Sequence, residues 1–163
     1  MIKYCCRQAT SECSERKREG GIIRQWILLH YRVPPTPSAG RVHVWRKLKN
    51  LGALLLHDSV WVLPDTPWTY EQFQWLADEV MALHGDAMLW RAHLTLPGQE
   101  QDLVDRFMAL SEQEYRPIWN AIQQGAPDWP TLSRQFQQGR QRDYFGCSLG
   151  QQIYEKLKQA RKE

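Results

Sequence analysis

No apolar run in the 163-residue chain comes near the roughly 18 residues that a membrane-spanning helix requires. The N-terminal stretch MIKYCCRQATSECSERKREGG also lacks the apolar centre of a secretory signal peptide. The expectation is a soluble, cytoplasmic protein with no membrane partner. Cysteine is scarce, and Cys5, Cys6, Cys13 and Cys147 form no disulfide-scaffold spacing. The CC-x6-C portion offers thiolates to a soft metal but has neither a fourth ligand nor a stiffening element. The other reading of residues 1–22 is a disordered leader with reduced thiols. No nucleophile motif, phosphate loop or HExxH occurs. Asp58 and Ser59 beside His57 make no acid–base group, because consecutive strand residues point to opposite faces. The expectation is therefore a non-catalytic protein without cofactor or metal.

What is present is aromatic bulk and unevenly placed charge. Eight tryptophans supply a large packing payload. The net charge is only +3, yet residues 23–64 carry +5 and residues 65–98 carry −4. The basic end contains GRVHVWRKLKNLG, Gly40 to Gly52. A local basic patch on a near-neutral chain suits a polyanionic partner, although a solvated helix face produces the same pattern.

The hydrophobic periods place the elements. RQWILLHYRVP is a short strand-forming run closed by Pro34 and Pro35. Ser38 is positioned to cap the helix that follows. Within residues 41–51, Val44, Trp45, Leu48 and Leu51 share one helical arc, and His43, Arg46, Lys47 and Asn50 share the other. Gly52 sits where a helix stops. ALLLHDSVWVLP reads as two strands turning at Asp58-Ser59, and Trp68 to His84 as an amphipathic helix ended by Gly85. DAMLWRAHLTL reads as a fourth strand. The order strand, helix, strand, strand, helix, strand predicts an α+β fold with a ferredoxin-like βαββαβ core over residues 23–98. Residues 99–163 read as a helical extension packed on that core, continuing or restarting after Pro117.

The run WILLHYRVPPTPSAGRVHVWRKLKNLGALLLHDSVWVLPDTP, followed by EQFQWLADEV and RDYFG, resembles the N-terminal domain of the chromate-resistance regulator ChrB. Tyr31, Arg41, Gly52, Ser59, Val60 and Trp61 are also similar, more distantly, to PaaX-type repressors and to the ferredoxin-like subunit of CRISPR spacer acquisition. The resemblance implies transcriptional control of chromate-resistance genes, with DNA as partner and chromate as effector. The chain is expected to lack the regulator's C-terminal domain, so a separately encoded second half is an expected partner. Where the CRISPR subunit carries an Asp at the end of its first strand, this chain has Tyr31-Arg32, and metal-dependent cleavage is not implied. Two alternatives stay open: a chromate-handling or redox enzyme, and an interaction module that works beside that second half.

Four sets of residues are candidates. Arg41, His43, Arg46, Lys47 and Lys49 are the expected DNA contacts, because Lys and Arg neutralise phosphates and release counterions. Arg41 falls on the apolar side of its helix, where a guanidinium must pair or cap carbonyls. Strand alternation suggests that His30, Arg32, Arg91 and His93 converge on the outer sheet face as an oxyanion site. Trp75 stands on the polar side of its helix, as an interface residue or a packing contact within the monomer. A homodimer is expected, since one short basic helix makes few phosphate contacts.

Overall fold

Trp26–Arg32, β1, alternates along WILLHYR so that both of its faces carry large apolar side chains, as a central strand requires. The computed structural model describes residues 25–36, 38–125 and 128–160. The stretch expected to form a leader, with Cys5, Cys6 and Cys13, lies outside the described residues. After β1 come α1 (Ser38–Asn50), β2 (Leu54–His57), β3 (Val60–Pro64), α2 (Pro67–Ala82) and β4 (Asp86–Ala92). Three helices follow: α3 (Gln99–Gln123), α4 (Trp129–Arg140) and α5 (Ser148–Ala160). The fold is α+β, with one antiparallel four-stranded sheet in the order β2-β3-β1-β4.

Local chemistry sets the ends of the helices. α1 stops at Gly52, whose φ of 69° is the left-handed value that glycine adopts without strain. Ala53 N–H donates to Leu48 O and Gly52 N–H to Lys49 O, the paired bonds of a Schellman ending. α2 opens on Thr66, whose hydroxyl accepts from Thr69 N–H while Thr69 Oγ1 accepts from Thr66 N–H. Its far end differs from expectation. His84, with φ 58°, takes the left-handed turn, and Gly85 is required by space. A Cβ on Gly85 would lie 2.3 Å from the Arg32 carbonyl oxygen.

The register separates two faces of the sheet. Leu29 opposes Trp61 and Leu89, and Ile27 opposes Leu63 and Arg91. These residues share the face covered by α1 and α2, where Val44, Leu48, Phe73, Leu76 and Val80 are buried. On the other face Trp26 stacks on Phe107 of α3, ring centroids 5.7 Å apart. Leu103 and Val104 are buried beside it. Burying each such side chain contributes about 1.5–3 kcal/mol.

α3 runs unbroken through Pro117. The bond that this proline removes belongs to the carbonyl of Gln113, an exposed position, so the loss costs less than it would in a buried turn. The second half of α3 brings Tyr115 and Ile118 to a second apolar cluster with Leu132, Phe136, Cys147 and Ile153. The RDYFG motif joins the two clusters. Arg142 pairs with Glu114 at 3.3 Å, and Phe145 packs on Trp26 and Phe107. Tyr144 reaches the end of α1 through its hydroxyl. Asp143 accepts hydrogen bonds from Gly146 N–H and Cys147 N–H at the start of α5. The motif acts as a clamp between helices.

Candidate nucleic-acid interface

α1 buries a narrower stripe than its sequence suggests. Gly40, Val44 and Leu48, at i, i+4 and i+8, are buried, and the Gly40 backbone lies against Leu83. Trp45, expected on the apolar arc, is instead 49% exposed. One turn of helix separates it from Arg41 on one side and Lys49 on the other, so the three form an outward stripe. Arg46 stands alongside, exposed.

The five basic residues expected to meet phosphate divide into two groups. Lys47 Nζ and His43 Nε2 both bond the Glu79 carboxylate of α2, the histidine at 3.0 Å. The hydrogen bond from Lys47 is the main reason that the Glu79 pKa lies below the usual carboxylate range; the histidine adds to it. The Lys47 charge is therefore partly spent within the protein, and the His43 ring is engaged beside it. Arg41 and Arg46 form no ion pair among the described residues, and Lys49 Nζ lies 5.7 Å from the centroid of Trp61. Arg41 corrects an expectation, since it is exposed and caps no carbonyl among the described residues. It lies outside the narrow Gly40–Val44–Leu48 stripe that packs inward. Its charge favours the ionised Tyr31 hydroxyl, against the burial that raises that group's pKa.

The oxyanion cluster does not assemble. Opposed residues of antiparallel strands point to one face. His30 opposes Met88 and Arg32 opposes Asp86, whereas Arg91 opposes Ile27 on the side of α1 and α2. There Arg91 Nε pairs with Asp65 at 2.9 Å, and its guanidinium lies 4.3 Å from the centroid of Tyr70. β4 ends at Ala92, so His93 lies beyond the strand. The expected grouping paired the outer face with the wrong parity of β4. His30 and Arg32 therefore stand apart from Arg91.

Trp75 is 55% exposed and lines a cleft of about 280 Å³ between α1 and α2. Trp68, one heptad earlier on α2, lines it too, with Lys47, Leu51 and Gln141. Trp45, Trp68 and Glu79 were not singled out from sequence. The signal for Glu79 was the i, i+4 spacing of His43 and Lys47, which aims both at one neighbour. Among the described residues no three His, Cys, Asp or Glu side chains gather as metal ligands. No described helix is long and apolar enough to cross a membrane.

Residues 41–125, from α1 through α3, match the family described as Protein ChrB, N-terminal. A curated relative, Protein ChrB of Cupriavidus metallidurans, is 30% identical over 90 residues. That alignment covers 55% of this chain and 27% of the relative, so the chain spans about a quarter of the relative's length. No solved structure matches.

Proposed function

The chain belongs to the family of the N-terminal region of Protein ChrB, and from that membership we propose that it is a chromate-responsive transcriptional regulator, or the DNA-binding half of one, without catalysis of its own. The reading includes a ferredoxin-like βαββαβ core, which the strand order β2-β3-β1-β4 with α1 and α2 on one face supports. The helices after β4 are its extension. The observation that carries the function is the outward stripe of α1. Arg41, Arg46 and Lys49 present cationic groups to solvent, and Trp45 lies among them. Guanidinium and ammonium groups on one helix face neutralise phosphates, and their release of counterions makes affinity fall with salt. His43 and Lys47 contribute less, because Glu79 holds them. The protein acts as a homodimer, doubling a contact set that one helix leaves small.

The test is a mobility shift with the DNA upstream of the protein's own gene, over a salt series, with and without chromate. A shift that weakens with salt is expected, as is its loss on adding chromate. Arg41→Ala and Arg46→Ala each reduce the salt slope by about one. A flat salt response removes the electrostatic grip. Binding that ignores chromate leaves a regulator with another effector.

The Trp68–Trp75 cleft favours a second reading, an interaction module for a separately encoded domain. That module gives no salt-dependent shift with any DNA. An enzyme acting on chromate is separated from both by consumption of chromate in the presence of a reductant.

A further inference from the structure

The two edges of the sheet are unlike. β2 is four residues long, and its pairing with β3 slips between Leu55 and His57. Arg106 of α3 donates to the Leu55 carbonyl at 3.0 Å, occupying an acceptor on that strand. A short, irregular and capped strand is how proteins close an edge. β4 carries none of these devices. It runs seven residues in unbroken register with β1, without proline or lysine. No backbone group of β4 bonds to any described segment other than β1.

The side chains on that edge are apolar where water is expected. Met88 and Trp90 are 53% and 55% exposed and lie on the face opposite α1 and α2, beside Leu28 and His30. α3 covers the β1 side of that face through Trp26 and Phe107 and leaves the β4 side open. Among the described residues, an edge without a partner and two adjacent exposed apolar side chains thus coincide on one strand.

We infer that β4 pairs antiparallel with β4 of a second copy of this chain, about a two-fold axis through Leu89. This names the interface of the homodimer proposed above and does not depend on DNA binding. A two-fold axis perpendicular to the sheet keeps both faces in line, so opposed residues must share a face. Centring on Leu89 satisfies that condition and pairs all seven residues, Asp86 through Ala92. Met88 then opposes the partner's Trp90, twice over, and thioether against indole is a favourable contact. Charge agrees with this direction. Asp86 stands at one end of the strand, so antiparallel pairing holds the two Asp86 carboxylates at opposite ends of the joined edge. A parallel arrangement would bring the two Asp86 carboxylates together.

The test is sedimentation of the full chain over a concentration series, with circular dichroism to establish folding. Dimer is expected. Trp90→Lys and Met88→Lys, both at exposed positions, each weaken it about thirtyfold, whereas Leu55→Lys on the closed edge leaves it unchanged. The register is read by disulfide trapping in a chain with Cys5, Cys6 and Cys13 changed to Ser. Mixing Met88→Cys with Trp90→Cys chains gives a cross-linked heterodimer, and neither variant alone gives comparable cross-linking. A monomer at all concentrations, a dimer indifferent to both lysines, or trapping that does not need the mixture overturns the inference. Loss of the DNA shift with the dimer intact overturns only the reading of α1.

Discussion

The Tyr144 hydroxyl donates to the main-chain carbonyl of Leu51, 93 residues earlier in the chain. That carbonyl belongs to the ending of α1, where the helix leaves its last acceptors without internal partners. Phenol burial pushes the Tyr144 pKa far up, so it remains a donor through the accessible pH range. Tyr144→Phe removes the donor and little volume. Stability should fall by about 1–2 kcal/mol, read as a lowered urea midpoint with an unchanged slope.

Gly52 is fixed by two independent constraints, and substitutions separate them. Its φ is positive, and a Cβ there would sit 2.9 Å from Cβ of Arg142. Gly98 has φ 84° but nothing within 4 Å of the same atom. Gly52→Ala should therefore cost roughly 2–4 kcal/mol, from left-handed strain plus the clash, and Gly98→Ala only about 1 kcal/mol. Equal costs in thermal denaturation would show that Arg142 moves aside freely.

Glu79 restrains the basic helix. Glu79→Gln removes the anion that holds Lys47 and His43, so DNA affinity should rise and its salt slope should steepen by about one. Stability moves in the other direction. The folded pKa of Glu79 lies below its unfolded value, chiefly through the Lys47 hydrogen bond. The associated stability is complete above the ordinary glutamate range and is lost as pH falls through the lowered value. The pair is partly exposed to water, so the amount is below about 1 kcal/mol. Comparing urea midpoints of the parent and Glu79→Gln across that acid range measures it.

Asp143 guards Cys147. Its carboxylate accepts from the Gly146 and Cys147 N–H groups, and burial pushes the Cys147 thiol pKa up. In a chain with Cys5, Cys6 and Cys13 changed to Ser, a disulfide reagent should react slowly. Asp143→Ala, by removing the cap, should speed that reaction roughly five- to thirtyfold. An unchanged rate would mean that Cys147 opens by a route that leaves the cap in place.

The order of elements was legible because each signal is local. Gly52, Thr66 and the apolar spacings of β1 and α2 act within a few residues. The facing of β4 was not legible, because alternation gives two faces without saying which face meets which neighbour. Only the pairing of Leu29 with Leu89 decides that, and it sets Arg91 on α2's side. Trp45 escaped for a related reason. Its angle on α1 adjoins Val44 and Leu48, yet the helix lies so that only the narrow Gly40–Val44–Leu48 stripe descends. Restraint of Lys47 by Glu79 joins segments 32 residues apart, and the spacing of His43 and Lys47 marks a shared neighbour without saying which residue it is. The α1 patch was therefore found by its composition, while its division into held and free cations was visible only in three dimensions.

Under the β4–β4 pairing inferred above, the Arg106–Leu55 contact also limits how far the protein can polymerise. A sheet with two open ends can add chains indefinitely, since every addition exposes a fresh template, and such growth leads to filaments. Here one end is finished by a guanidinium from the chain's own third helix. Growth at the remaining end consumes that end in both participants. The process stops at two, and the concentration of protein alters how many pairs exist without altering their size.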